Sequence, residues 1–224
     1  MRFTPLSPVG LVEALATWLD RRVEELLAVD GPTARLASAG WVFGFDGPDE
    51  LGTAELADRV AEAVRRRGRP VIRASTGRWW RPSALRLELG RHDVDMLLTG
   101  WVDSAALRRE LIDPLVGGGR PYITELRNPE TDRSVRQRPL LAAPGAVLLL
   151  DGAFLLAADL PLDGVVGLRV GASALERALS PDKAWWTAAF ERYDQDYRPI
   201  ERADVLLAYD HPGAPAASGL ANRV

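Results

Sequence analysis

Leu11, Leu15, Leu19, Val23 and Leu26 recur at three- or four-residue spacing along residues 8–29. That period predicts an amphipathic helix with one apolar stripe turned to a core. Pro8 suits its first turn, and Asp30-Gly31-Pro32 predicts its end. Further on the pattern changes to short, mainly apolar runs: Trp41 to Phe45, Val71 to Ser75, Ala146 to Leu150, Val165 to Val170 and Val205 to Tyr209, with Ala146 to Leu150 the clearest. Runs of this kind predict strands buried on both faces, as in a parallel sheet. Helical spacing returns over 53–67, where Leu56, Val60 and Val64 form a stripe. Glu55 with Arg59 and Glu62 with Arg66 add i,i+4 pairs, and Arg65 to Arg67 followed by Gly68 suit the end of that helix. Helices are also predicted from Asp103 or Ser104 to about Leu115, from Ser173, and over 182–196. Residues 76–101 read as an aromatic-rich insert, Gly117-Gly118-Gly119 as a loop, and 120–139 as a charged hairpin or extended excursion. The Ala-, Gly- and Pro-rich tail from His211 predicts loose chain.

Strands alternating with helices predict a parallel sheet covered on both faces. Ligands in such sheets bind beyond the carboxyl ends of the strands. Asp46, Ser75 and Asp151 end three predicted strands, so they are expected to cluster.

Composition narrows the chemistry. At 224 residues the chain fits one domain with an ample core. A formal net charge of -3 argues against general nucleic-acid binding. With Cys 0, disulfides, thiolate nucleophiles and Cys-ligated zinc are excluded. The two histidines, His92 and His211, lie far apart, and no metal site is expected from them. No apolar run reaches the roughly 18 residues of a membrane span. Glu13, Asp20, Arg21 and Arg22 interrupt the N-terminal apolar positions, which does not fit a signal peptide. A soluble, cytoplasmic protein is the expectation. Lys183 is the one lysine, and the preference for arginine suggests a high-GC genome.

The segment Phe43 to Ala57 holds the most informative motif. It has the frame of a phosphate-binding loop, G-x-x-x-x-G-K-[ST] between a strand and a helix. Gly47 and Gly52 occupy the glycine positions, with Pro48 between them. The lysine position is Thr53 and the hydroxyl position is Ala54. The lysine would reach the β- and γ-phosphates and the hydroxyl would hold Mg²⁺. Asp49 and Glu50 put two negative charges where phosphates would lie.

From about Trp41 to Pro212 the chain resembles the uridine kinase-like P-loop nucleoside kinases in their actinobacterial form. The matches run in order: Ala57-Asp58-Arg59-Val60-Ala61, Arg69 to Ser75, Arg81-Pro82, Asp103 to Pro114, Thr131-Asp132-Arg133, Ala143 to Val147, Asp151-Gly152-Ala153-Phe154-Leu155-Leu156, and Glu201 to Val205. The resemblance implies an α/β fold, a P-loop NTPase-like three-layer sandwich with a mostly parallel sheet and an N-terminal helix. It divides the chain into an N-terminal helical extension (1–40), a uridine kinase-like domain (41–212) and a loose C-terminal tail (213–224). It also implies an acidic base for the sugar hydroxyl just after Ser75, where this chain has Gly77 and Arg78, then Trp79 and Trp80. The lid's Arg-Asp pattern is not recognisable around Ser180 to Trp186.

The candidate residues follow from these matches and departures. Gly47, Pro48, Gly52 and Thr53 could still frame a nest for an anion, or be an inherited turn; ATP and Mg²⁺ enter only if that loop binds. Asp151 could hold Mg²⁺ through water, or be a structural carboxylate. Arg78, Trp79 and Trp80, with His92, Asp93 and Tyr122, could line a substrate cleft, pack a loop, or face a partner; Trp185 and Trp186 are read the same way. Lys183 could swing from the lid toward a phosphate, or be solvated. The reading is a protein that has lost nucleoside phosphorylation and binds a ligand or a partner, including a second copy of itself. The alternatives are an enzyme redirected to another small substrate and a noncanonical kinase in which Lys183 or an arginine replaces the missing lysine.

Overall fold

A computed structural model describes residues 2–30 and 40–220 of the chain. Among these, five strands form the parallel heart of one sheet. They are β2 (Gly40–Asp46), β3 (Val71–Ser75), β6 (Ala146–Gly152), β7 (Gly164–Arg169) and β8 (Val205–Ala208), in the order β8-β7-β2-β6-β3. β2 and β6 are buried along their whole length, as their unbroken apolar runs demand. The antiparallel strands β9 (Ala216–Ser218) and β1 (Thr4–Pro5) extend the β8 edge. A hairpin of β4 (Arg127–Asn128) and β5 (Arg133–Ser134) stands apart, within the predicted charged excursion.

Helices cover both faces, giving the three layers expected. On one face α1 (Pro8–Asp30) and α2 (Thr53–Arg66) pack against Trp41, Phe43, Phe45, Val147 and Leu149. Leu11, Leu15, Leu19 and Val23 of α1 are all inside that core, so the N-terminal helix shares it with the strands. On the other face lies α4, a helical run over 104–117 that contains a π-helical stretch at Arg108–Ile112. Asp103 caps it, accepting from the Ala106 N–H at 2.9 Å. Beside α4 on this face lie α5 (Ala172–Ala178) and α6 (Trp186–Tyr197), with α7 (Pro199–Arg202) following. Before them, the insert after β3 contributes a 3₁₀ turn at Thr76–Trp79, the short helix α3 (Ser83–Arg86) and a π-helical turn at Met96–Gly100.

One expectation changes. Residues 216–218, placed in the loose tail, form β9, whose Ala217 is buried opposite Leu207. A three-residue strand of Ala-Ala-Ser carries no apolar pattern, and edge pairing with β8 overrides its weak propensity. Gly31 and Pro32 of the predicted helix stop lie outside the described residues.

Candidate functional site

The carboxyl edge of the sheet gathers the chemistry, but not in one cluster. β2 pairs Phe45 with Asp151 and Asp46 with Gly152, while β3 pairs Ser75 with Asp151. Strand side chains alternate between faces. Asp151, Ser75 and Arg73 therefore share the α2 face, and Asp46 points the other way. The expected grouping of Asp46, Ser75 and Asp151 holds for the last two only.

On the α2 face, Asp151 is completely buried and ion-paired to Arg73, with Nη2 to Oδ1 at 2.5 Å. The same guanidinium donates to Asp58 (2.7 Å), the Leu149 carbonyl (2.5 Å) and the Ala54 carbonyl (3.4 Å). Ala54 is the position where the loop motif would carry a hydroxyl. Burial pushes the Asp151 carboxyl above its ordinary range, while Arg73 and a Ser75 hydrogen bond pull it down. Its second oxygen, Oδ2, is buried with no hydrogen-bond partner.

The loop between β2 and α2 is folded onto itself. Asp49–Leu51 make one 3₁₀ turn, and Gly52 takes φ 84°, a left-handed conformation that glycine adopts without strain. The N–H groups of Leu51 and Gly52 donate to the Pro48 and Asp49 carbonyls at 3.1 and 2.9 Å. Thr53, fully buried, donates its hydroxyl to the Pro48 carbonyl at 2.8 Å. A Cβ on Gly47 would lie 3.0 Å from that hydroxyl and 2.8 Å from the Leu168 Cβ, so the turn admits only glycine there without a shift.

Lys183, on a 3₁₀ turn at Pro181–Lys183, reaches across to this loop. Its Nζ lies 2.5 Å from Glu50 Oε1 and 4.7 Å from the Trp186 ring centroid. Glu50 Oε2 is buried without a hydrogen-bond partner. Asp49 is exposed as a residue, yet its carboxyl is pushed up to about 7. Desolvation is the first cause, then the charges of Asp151 and Glu50, with Lys183 opposing.

The other sequence candidates are dispersed. Trp79 is fully buried in the α4-side core and donates its indole N–H to the Thr124 carbonyl. Tyr122 is buried in the same core, where desolvation raises its hydroxyl pKa. Arg78 is about half exposed and sits 3.8 Å from Glu125. Asp93 accepts from the Met96 N–H at 2.7 Å, a cap for the turn at 96–100. His92, exposed, packs against Trp185 at 5.2 Å. Of this set only Trp80 faces the cleft beyond β3, together with Trp101, Trp186 and Phe154. The tryptophans pack edge to face, with centroids 5.0 Å apart for Trp80 and Trp101 and 5.8 Å for Trp101 and Trp186, and Phe154 tilts against Trp186. They leave about 40 Å³ of space, bounded also by Asp49 and Gly77.

Three residues that reading the sequence did not single out organise the site. Arg73 is one; a charge inside an otherwise apolar strand run was the available signal. Arg86 is another: it is buried, stacks between Trp80 and Trp101 at 4.9 and 4.7 Å, and is tied to Asp132. The third is Tyr193, which donates to Asp46 at 2.7 Å and accepts from the Leu156 N–H at 3.0 Å. Asp46 also accepts from the Leu155 N–H at 2.9 Å, and burial pushes its carboxyl up to about 6 against those bonds. Asp46 thus ties α6 to the turn at Leu155–Ala158.

No protein-family model and no curated protein matches the chain. Solved structures do. A candidate uridine kinase from Bacillus stearothermophilus superposes with TM-score 0.61 at 22% identity, covering 84% of this chain and 98% of that one. The fold is that of the P-loop kinases. A candidate fructose transport system kinase from Silicibacter sp. TM1040 gives TM-score 0.58 at 18% identity, covering 86% and 94%. The YGR205w protein gives 0.60 at 10% identity and covers 95% of this chain and 98% of that one. In this chain the loop from Gly47 to Gly52 joins β2 to α2. Among the described residues no helix is long and apolar enough to cross a membrane, and no group of three or more His, Cys, Asp or Glu side chains could hold a metal ion.

Proposed function

We propose that this chain keeps the P-loop kinase fold without ATP-dependent phosphoryl transfer, and acts as a pseudoenzyme that binds a ligand or a partner. One observation carries the reading: the guanidinium of Arg73 occupies the buried Asp151, the carboxylate that would serve a metal ion. The guanidinium, held by Asp58, Asp151 and the Ala54, Ala74 and Leu149 carbonyls, sits on the Asp151 oxygen that a metal ion would need and would repel that ion.

ATP and Mg²⁺, which the fold implies, do not fit the residues present. The Leu51 and Gly52 N–H groups are spent on carbonyls inside the loop. Glu50 and Asp49 set carboxylates where phosphate oxygens would approach, and the one lysine is engaged by Glu50. Phosphoryl transfer is catalysed by positioning and charge stabilisation. Removing one such donor typically costs about 2.7–4 kcal/mol, roughly 10²–10³ in rate. The missing lysine, hydroxyl and base therefore leave no group to carry it. The small space left among Trp80, Trp101, Trp186 and Phe154 also weighs against a redirected enzyme in the same cleft.

The test is a phosphotransfer assay, by mass spectrometry, with ATP, Mg²⁺ and a panel of nucleosides and sugars. The expected result is no product above the uncatalysed background. Turnover of any acceptor would overturn the reading. If that turnover vanished in Lys183→Ala, the noncanonical kinase would take its place.

A further inference from the structure

A second cavity lies on the face of the sheet away from Arg73 and Asp151. It is about 120 Å³ in volume and opens between the ends of β2, β7 and β8 and helices α5, α6 and α7. Its apolar wall includes Leu175, Phe190 and Ile200. For scale, a cavity of roughly 150 Å³ lined by such side chains takes up benzene. A ring or a branched aliphatic group is therefore the body that fits.

The charges around it are one-sided. Asp46, Glu191 and Asp194 line it against a single cation, Arg169. Asp46 is 4% exposed, and its two hydrogen bonds come from neutral donors, the Tyr193 hydroxyl and the Leu155 N–H. Among the described residues no ion pair is formed by Asp46, Glu191 or Asp194. A buried carboxylate without a cation is costly unless something neutralises it. Desolvation accordingly raises the pKa of both Asp46 and Asp194; at Asp46 the charge of Asp194 adds to it, and the charge of Arg202 opposes it least of the influences there.

We propose that this cavity binds a protonated amine carrying a ring-sized apolar body, with the ring against Phe190, Leu175 and Ile200 and the ammonium turned to Asp46 and the acidic rim. Gly47 and Pro48 of the phosphate loop form part of the cavity wall, but its acidic lining calls for a cation where that loop would take an anion, so the two readings fail separately. An ATP titration tests one and an amine titration tests the other.

The experiment is an NMR titration of the intact chain at neutral pH with benzylamine, benzyl alcohol and benzoate. Benzylamine is expected to move the amides of Leu175, Thr187 and Phe190. It should bind about tenfold more tightly than benzyl alcohol, the factor a charge-assisted contact supplies. Benzoate should move none of them. Thr187→Phe, which fills the cavity from its half-exposed rim, should abolish the shifts. Glu191→Gln and Asp46→Asn should each reduce the preference for amine over alcohol. Glu191 is exposed, so its variant folds even if Asp46→Asn does not. Equal affinity for benzylamine and benzyl alcohol would overturn the proposal. So would shifts scattered over other acidic surfaces, binding that survives Thr187→Phe, or an amine preference untouched by Glu191→Gln and by any foldable Asp46→Asn.

Discussion

Replacing Arg73 by Met isolates the ion pair on which the account rests. The side chain keeps its apolar stem, but Asp151 loses its cation while remaining completely buried, with one oxygen already unpartnered. Breaking a buried pair from one side costs about 3–5 kcal/mol. An independent bound comes from protonation. The carboxyl can escape its charge by taking a proton, which from an ordinary value of 3.8 costs about 4 kcal/mol at pH 7 and about 2 kcal/mol at pH 5. With Arg73 gone, the folded-state pKa rises further above the unfolded one. The folded state then binds more protons, and stability recovers as pH falls toward the unfolded value. For a chain of this size, about 2–4 °C of melting temperature per kcal/mol predicts a loss of roughly 8–16 °C at pH 7 and roughly 4–8 °C at pH 5. Thermal melts by circular dichroism at the two pH values read this directly. Asp151→Asn in the Arg73→Met chain removes the charge and should recover most of the loss. An equal penalty at both pH values, or no recovery from Asp151→Asn, would refute the ion-pair argument.

Three further outcomes follow from the same geometry. Lys183→Met leaves Glu50 without a cation and should cost about 1 kcal/mol in urea unfolding, since the pair is part-exposed; if Glu50→Gln added to it does not take that loss back, the bridge is not what holds the segment. Asp46, raised from 3.8 to about 6, makes the folded state bind more protons than the unfolded one, so its contribution to stability is lost as pH rises from about 4 to 6, by about 3 kcal/mol in all. Asp46→Asn should flatten that slope, and an unchanged slope in a pH series of melts would count against the burial argument. Arg86→Met removes a buried guanidinium held between Trp80 and Trp101 and should cost about 2 kcal/mol, with a shift in tryptophan emission; a cost under about 0.5 kcal/mol would mean the stacking contributes little.

Much of the fold was legible because its signals are local. The continuous apolar runs that became β2 and β6 could sit only in the middle of a covered sheet, and the Leu56-Val60-Val64 stripe could make only a helix. β9 was hidden, since three small residues acquire a strand's conformation only by pairing with β8. The loop's missing lysine and hydroxyl were also plain in the sequence, but the charges that stand around it were not. Arg73 reaches Asp151 across the pairing of β3 with β6, and Lys183 reaches Glu50 from a segment 133 positions away. Register and tertiary approach decide such contacts, and spacing along one chain carries neither. The tryptophans show the same limit: Trp79 and Trp80 are adjacent in sequence, yet one is core and the other faces the cleft.

Calorimetric titration of the chain with ATP, with and without Mg²⁺, bears most directly on the central claim. A loop closed by its own hydrogen bonds and flanked by Glu50 and by Asp151 on Arg73 predicts no binding heat up to millimolar ATP in either condition. Micromolar, Mg²⁺-dependent binding would contradict it, because the metal could then reach Asp151 only by displacing Arg73.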